Sequence, residues 1–86
     1  MEEDNNIAYV YPNPTNNNIS IAISCKSSSE ISIFDINGKL MLRKKLPSGI
    51  FIENIVLDSF SEGCYLIFIF DEHRNCIMRD KLLIVK

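Results

Sequence analysis

The sequence predicts an all-β protein, a single antiparallel Ig-like β-sandwich of about seven strands. Three observations carry this. Apolar and polar residues alternate with period two, most cleanly from Asn18 to Ser24, where Ile19, Ile21 and Ile23 share one face and Ser20, Ala22 and Ser24 the other. Groups of Pro, Gly, Asn and Ser recur about every ten residues, the spacing of short strands in a two-sheet sandwich. No stretch carries the apolar period of a helix.

The elements follow in chain order. Residues 1–6 are polar and acidic and are expected to be a disordered linker remnant, with the folded domain at 7–86. Ile7–Tyr11 is a strand that Pro12 and Pro14 end, because proline cannot donate a ladder hydrogen bond. Asn16-Asn17-Asn18 turns the chain into the alternating strand, and Lys26–Ser29 is a polar loop. Glu30–Ile36 and Leu40–Lys45 flank Asn37-Gly38, the dipeptide of a two-residue type I′ hairpin. That turn pairs Ile36 with Lys39, Phe34 with Met41 and Ile33 with Leu42. It places Ile31, Ile33, Leu40 and Leu42 on the core face. Pro47-Ser48-Gly49 turns into a less regular strand, Phe51–Leu57, with Ile55 and Leu57 in phase. Asp58–Glu62 is a loop. Gly63–Asp71 is apolar on both faces, with Tyr65, Ile67 and Ile69 on one and Cys64, Leu66, Phe68 and Phe70 on the other. It is a central strand whose outer face is either covered by a loop or terminus, or left open as a docking surface. Glu72–Asn75 turns, and Cys76–Lys86 ends the chain. No internal repeat is read.

At 86 residues the chain is one domain with a modest core. Its formal net charge of −2 offers no basic stripe to follow phosphates, which argues against nucleic acid as a partner. The longest wholly apolar run, Cys64 to Phe70, is too short to cross a bilayer as a helix. Met1 is followed by Glu2-Glu3-Asp4, unlike a secretory leader, so the chain is either cytoplasmic or, the favoured reading, a fragment from the end of a longer exported protein.

Catalytic chemistry finds few candidates. His73 is the sole histidine and lies in a turn beside Asp71, without the further ligands a metal would take. No nucleophile has a base beside it, and no glycine-rich phosphate loop occurs. The expectation is a non-enzyme with no cofactor and no metal. Cys25, Cys64 and Cys76 are an odd set and read as free, mostly buried small hydrophobes. A hairpin looping between Asp71 and Cys76 sets Cys64 opposite Leu83, too far from Cys76 to bond. Asn18-Ile19-Ser20 matches the N-glycosylation pattern by chance composition, and Arg43-Lys44-Lys45 reads as a charged edge that discourages strand-to-strand aggregation or, alternatively, as a weak docking patch for an acidic partner.

Four motifs in order carry a family resemblance: Tyr11-Pro12-Asn13-Pro14-Thr15, Ile33-Phe34-Asp35 with Asn37-Gly38-Lys39, Gly63-Cys64-Tyr65, and Lys81 to Lys86 at the C-terminus. Together they resemble the C-terminal sorting domain of the type IX (Por) secretion system of Bacteroidetes, over roughly Ala8 to Lys86. Phe34 stands where tyrosine is commoner, and the Glu72–Asn75 loop lacks a glycine often found there. The resemblance implies a secretion signal with no catalysis of its own. It implies an N-terminal cargo domain that passes through the periplasm to the cell surface or beyond. The implied partners are type IX translocon components and a surface sortase-like protease that cuts near the domain's N-terminal side and can join the cargo to lipopolysaccharide. The implied recognition residues are Pro12, Asn13, Pro14, Asp35, Gly38, Lys39, Gly63, Tyr65, Lys81 and Lys86. The competing readings are a carbohydrate- or protein-binding module appended to a secreted enzyme, and an Ig-like spacer. An open aromatic row with glycan affinity distinguishes the first, and function independent of chain position the second.

Overall fold

A computed structural model describes residues 6–86, so the linker expected at 1–6 lies outside the described residues except for Asn6. Seven strands and no helix make up the described chain: β1 (Ile7–Tyr11), β2 (Asn18–Cys25), β3 (Ser29–Phe34), β4 (Leu40–Leu46), β5 (Gly49–Val56), β6 (Gly63–Asp71) and β7 (Cys76–Ile84). They form two antiparallel sheets, one ordered β1-β2-β5 and the other β4-β3-β6-β7. The sheets pack face to face through the period-two positions. Ile19, Ile21 and Ile23 of β2 meet Ile31 and Ile33 of β3 and Tyr65, Ile67 and Ile69 of β6 in one buried cluster. Leu82 and Ile84 of β7 and Leu57 complete it with no exposed surface. Edge strands of opposite sheets are also joined by charge, since Lys44 on β4 pairs with Glu53 on β5.

The β3–β4 hairpin departs from the expected two-residue turn. Only Gly38 has positive φ, at 86°, whereas a type I′ turn needs two such residues. The Asp35 N–H donates to the Lys39 carbonyl at 2.9 Å and the Gly38 N–H to the Asp35 carbonyl at 3.1 Å. This is a three-residue loop, a type I turn followed by a left-handed residue, and it carries a bulge. The bulge breaks the register between Ile33 and Phe34, so Ile33 faces Leu42 but Phe34 faces Leu40 rather than Met41. A one-residue slip turns a side chain to the other face. Leu40 therefore lies on the outside at 38% exposure, Leu42 is only partly buried, and Leu46 takes the core position on β4.

The β6–β7 hairpin repeats this device. The Asp71 N–H donates to the Asn75 carbonyl, the Arg74 N–H to the Asp71 carbonyl, and the register breaks between Ile69 and Phe70. Both hairpins begin with Ile-Phe-Asp (Ile33 to Asp35, Ile69 to Asp71), a shared tripeptide at the same place in each turn. A correction concerns the burial of the cysteines. Cys25 is buried, but Cys64 and Cys76 are exposed, since their strands turn them outward; all three are free. Phe60, in the loop before β6, is buried against Tyr65 with ring centroids 5.2 Å apart.

Truncating Ile33 or Ile67 to alanine is expected to cost about 2–5 kcal/mol in denaturant unfolding, the range for a fully buried aliphatic. Leu40→Ala should cost well under that. A loss at Leu40 equal to that at Ile33 would contradict the bulged register.

Candidate recognition site where the Pro-Asn-Pro segment meets the last strand

The Pro12–Thr15 segment leaves β1 and crosses to the free edge of β7. The Asn13 side-chain amide donates to the Lys81 carbonyl at 2.6 Å, and its oxygen accepts the Leu83 N–H at 3.1 Å. One side chain thus satisfies two backbone groups as a neighbouring strand would. Thr15 continues the pairing: its N–H donates to the Leu83 carbonyl at 2.9 Å and its carbonyl accepts the Val85 N–H at 2.8 Å, a parallel bridge. The Thr15 hydroxyl also donates to the Asn18 carbonyl at 2.5 Å, closing the turn into β2. The Tyr11–Pro12 and Asn13–Pro14 peptide bonds are both cis.

The C-terminal lysine is tied down as well. The Lys86 N–H donates to a Glu62 carboxylate oxygen at 2.9 Å, and its ammonium donates to the carbonyls of Leu57 and Asp58 at 3.4 and 3.2 Å. The Lys81 N–H, facing the open edge, is capped by the Asp80 carboxylate at 2.8 Å. The Gly63-Cys64-Tyr65 start of β6 lies beside these contacts, with Gly63 opposite Ile84 and Tyr65 opposite Leu82. The Tyr65 hydroxyl donates to the Ser61 carbonyl at 2.7 Å and so fastens the loop that carries Phe60. Gly63 has φ of 151°, and a Cβ there would meet nothing within 4 Å, so backbone conformation rather than space requires glycine.

Asp35, Gly38 and Lys39 belong to the same end of the sandwich, because Phe34 faces Leu66 on β6 and Leu66 faces Lys81 on β7. One Asp35 carboxylate oxygen accepts the N–H groups of Asn37 and Lys39, both at 2.9 Å, which fixes the turn. The residues singled out from the sequence are thus gathered at one end of the molecule. The chain enters at the other, where Ile7 faces Ser24 and the Asn6 side-chain oxygen accepts the Lys26 N–H.

That far end also holds the second hairpin turn. Asp71 is buried there, and one of its carboxylate oxygens accepts the N–H groups of His73 and Asn75 at 2.9 and 2.8 Å. Burial pushes its pKa up, but the donors of Asn75 and His73 outweigh it and hold the carboxyl below the ordinary aspartate value. His73 is an exposed turn residue, and among the described residues no group of His, Cys, Asp and Glu converges as a metal site. Arg74 occupies the left-handed position that Gly38 fills in the first hairpin, at φ of 68°. Its guanidinium donates to Glu30 at 3.0 Å and lies 5.1 Å from the Phe70 ring centroid.

Sequence reasoning did not assign Thr15 or Phe60 a role. Thr15 stands next to the Pro-Asn-Pro run, and a threonine before a polar turn is a frequent cap. A lone phenylalanine in the polar loop Asp58–Glu62 was the available sign of burial.

These features coincide with a known family. A model of secretion system C-terminal sorting domains matches residues 9–86, nearly the whole chain, and the chain belongs to that family. It is a sorting domain of the type IX secretion system, a signal for export to the cell surface or beyond. It is also similar to ulvan lyase NLR42 of Nonlabens ulvanivorans, at 33% identity over 76 residues. That match covers 87% of this chain and 14% of the lyase, so the chain spans a small part of the relative's length. No solved structure matches.

Two outcomes are expected. Asn13→Ala should lower unfolding stability by about 1 kcal/mol, the usual net worth of such hydrogen bonds. Asn13→Asp should cost at least as much, because a carboxylate cannot donate to the Lys81 carbonyl; an unchanged melt in both would deny the stitch. Asp71 has a folded-state pKa below its unfolded one, so its contribution is present above about pH 4 and is lost as pH falls through the folded value. Thermal melts should therefore decline below about pH 4, and the decline should be shallower in Asp71→Asn.

Proposed function

We propose that this sorting domain works as a folded, non-catalytic handle that the type IX translocon grips at the end where the Pro12–Thr15 segment meets the last strand. Cargo precedes Ile7 and leaves from the opposite end, so a partner can hold the handle without meeting the cargo. The observation that carries this reading is the convergence of Pro12, Asn13, Pro14, Asp35, Gly38, Lys39, Gly63, Tyr65, Lys81 and Lys86 at that end. The handle folds in the periplasm and its cargo crosses the outer membrane. A surface sortase-like protease then cuts on the N-terminal side of the domain, where a linker before Ile7 would be accessible. No cofactor enters this scheme.

A second reading, a carbohydrate-binding module, draws support from Tyr9 and Tyr11. They are 61% and 44% exposed on the outer face of the three-stranded sheet.

Fusion of residues 1–86 to the C-terminus of a reporter bearing an N-terminal secretion signal is expected to send the reporter across the outer membrane of a host with type IX secretion. Deleting Lys81–Lys86 should leave reporter in the periplasm, but Leu82 and Ile84 are core residues, so this variant also loses packing. Lys86→Ala keeps β7 but loses the ammonium tie to Leu57 and Asp58, so a thermal melt showing the variant folded is needed to separate recognition of the end from folding. Export that persists when the whole segment is removed would falsify the sorting role, and glycan affinity abolished by Tyr9→Ala would favour the binding module.

A further inference from the structure

The outer face of the four-stranded sheet is not covered by any other part of the described chain. Its centre is a ladder of aromatic rings on β3 and β6. Phe34 stands edge-on to Phe68 with centroids 5.8 Å apart, and Phe68 lies parallel to Phe70 at 5.9 Å. Leu66 extends the apolar strip at 37% exposure. Two shallow depressions, of about 440 and 320 Å³, meet at Leu66 and Phe68.

Cations flank this strip on both sides. The register sets Arg43 of β4 opposite Ser32, Ser32 opposite Phe68, and Phe68 opposite Arg79 of β7. By the same alternation Lys45 and Lys81 belong to this face, and Arg74 lies over Phe70. Five of the chain's nine Lys and Arg are therefore on one face of a protein whose net charge is −2. Glu30 at its centre is buried and already shared between Arg43 and Arg74, while Asp80 and Glu72 border the face at its margins. Arg79 and Lys81 have no carboxylate across from them in the ladder, where they face Phe68 and Leu66.

Ring orientation narrows the occupant. Phe68 and Phe70 turn their faces toward one another, Phe34 meets Phe68 edge-on, and Arg74 sits over Phe70. Phe68 and Phe70 thus give one ring face each to one another, and Arg74 approaches Phe70, which reduces the ring surface on which a sugar or a base could stack. The Leu66 side chain extends the strip, and the ring edges carry the positive end of the aromatic quadrupole. Such a strip accepts apolar side chains, and its flanks accept carboxylates.

We propose that this face docks an extended acidic segment of a partner protein, placing apolar side chains on the Phe34–Phe68–Phe70 strip and carboxylates against Arg43, Arg79 and Lys81. Assigning that segment to the export machinery rests on the sorting role proposed above; the docking chemistry does not. Charge complementarity of this kind sets encounter rate and partner choice, and it weakens with salt.

The probe is a labelled peptide alternating Glu with Leu and Phe, titrated into the 86-residue chain. It is compared with its Lys-for-Glu counterpart and with polyphosphate as an anion lacking apolar groups. Expected results are saturable, salt-sensitive binding of the acidic peptide and none of the basic one. Affinity should fall about tenfold for either Arg79→Glu or Phe68→Ser. Lys26→Glu, a matched charge change elsewhere, should leave it unchanged. Thermal melts of the variants establish that each is folded, and a variant that is not is replaced by Lys81→Glu or Leu66→Ser. Equal binding of the two peptides, indifference to Phe68→Ser, or displacement by polyphosphate at matched charge would overturn the proposal. Reporter fusions separate the two inferences. Export of the unaltered fusion without peptide binding defeats this docking face alone. Peptide binding without export defeats the sorting role alone.

Discussion

The Pro12–Thr15 segment holds the last strand, and the sandwich depends on that contact. The Asn13 amide and the Thr15 backbone together satisfy the outer edge of β7 from Lys81 to Val85. An edge strand otherwise presents unpaired N–H and carbonyl groups that recruit other chains. The same contact joins the two sheets, because Asn13 and Thr15 lie between β1 and β2 of one sheet while β7 closes the other. Lys86 adds a third tie by reaching the carbonyls of Leu57 and Asp58. Leu82 and Ile84 can then be fully buried in a strand at the margin of the sheet.

The paired hairpins show one turn geometry reached with different residues. Each starts on an aspartate whose carboxylate caps two N–H groups of its own turn, and each ends on a left-handed residue. Glycine meets that last requirement freely in Gly38, but Arg74 does so against a steric cost of about 1–2 kcal/mol. Its guanidinium is held between Glu30 and Phe70, contacts that offset part of the cost and that a glycine could not make. The arginine at this position thus contributes to the outer face rather than to the turn.

The two outer faces differ in kind. That of the three-stranded sheet has exposed apolar side chains such as Ile50, at 83% exposure, and Ile52, at 66%, with small residues of β2 between its strands. That of the four-stranded sheet has partly buried rings bordered by cations. A net charge of −2 conceals this, because acidic residues such as Glu53 and Glu62 lie elsewhere.

Much of this architecture was legible in the chain. Period-two alternation in β2, β3 and β6 and the punctuation by Pro, Gly and Asn determined an all-β fold, and the core isoleucines followed from which face repeats. Alternation is a local property, so local sequence suffices for it. The β6–β7 register was legible too, because a hairpin's ladder is set by its loop. What the sequence did not decide is where one extra residue enters a strand. Asn37-Gly38 fits a tight turn as well as a wider one, and only the closed sheet, with Asp35 capping its own loop, selects the wider turn and turns Leu40 outward. Nor could it show that the Pro-Asn-Pro segment meets the last strand, or that Arg43, Arg74, Arg79 and Lys81 share a face. Those contacts join residues up to 70 positions apart, and such proximity exists only once two sheets have been stacked and their edges closed.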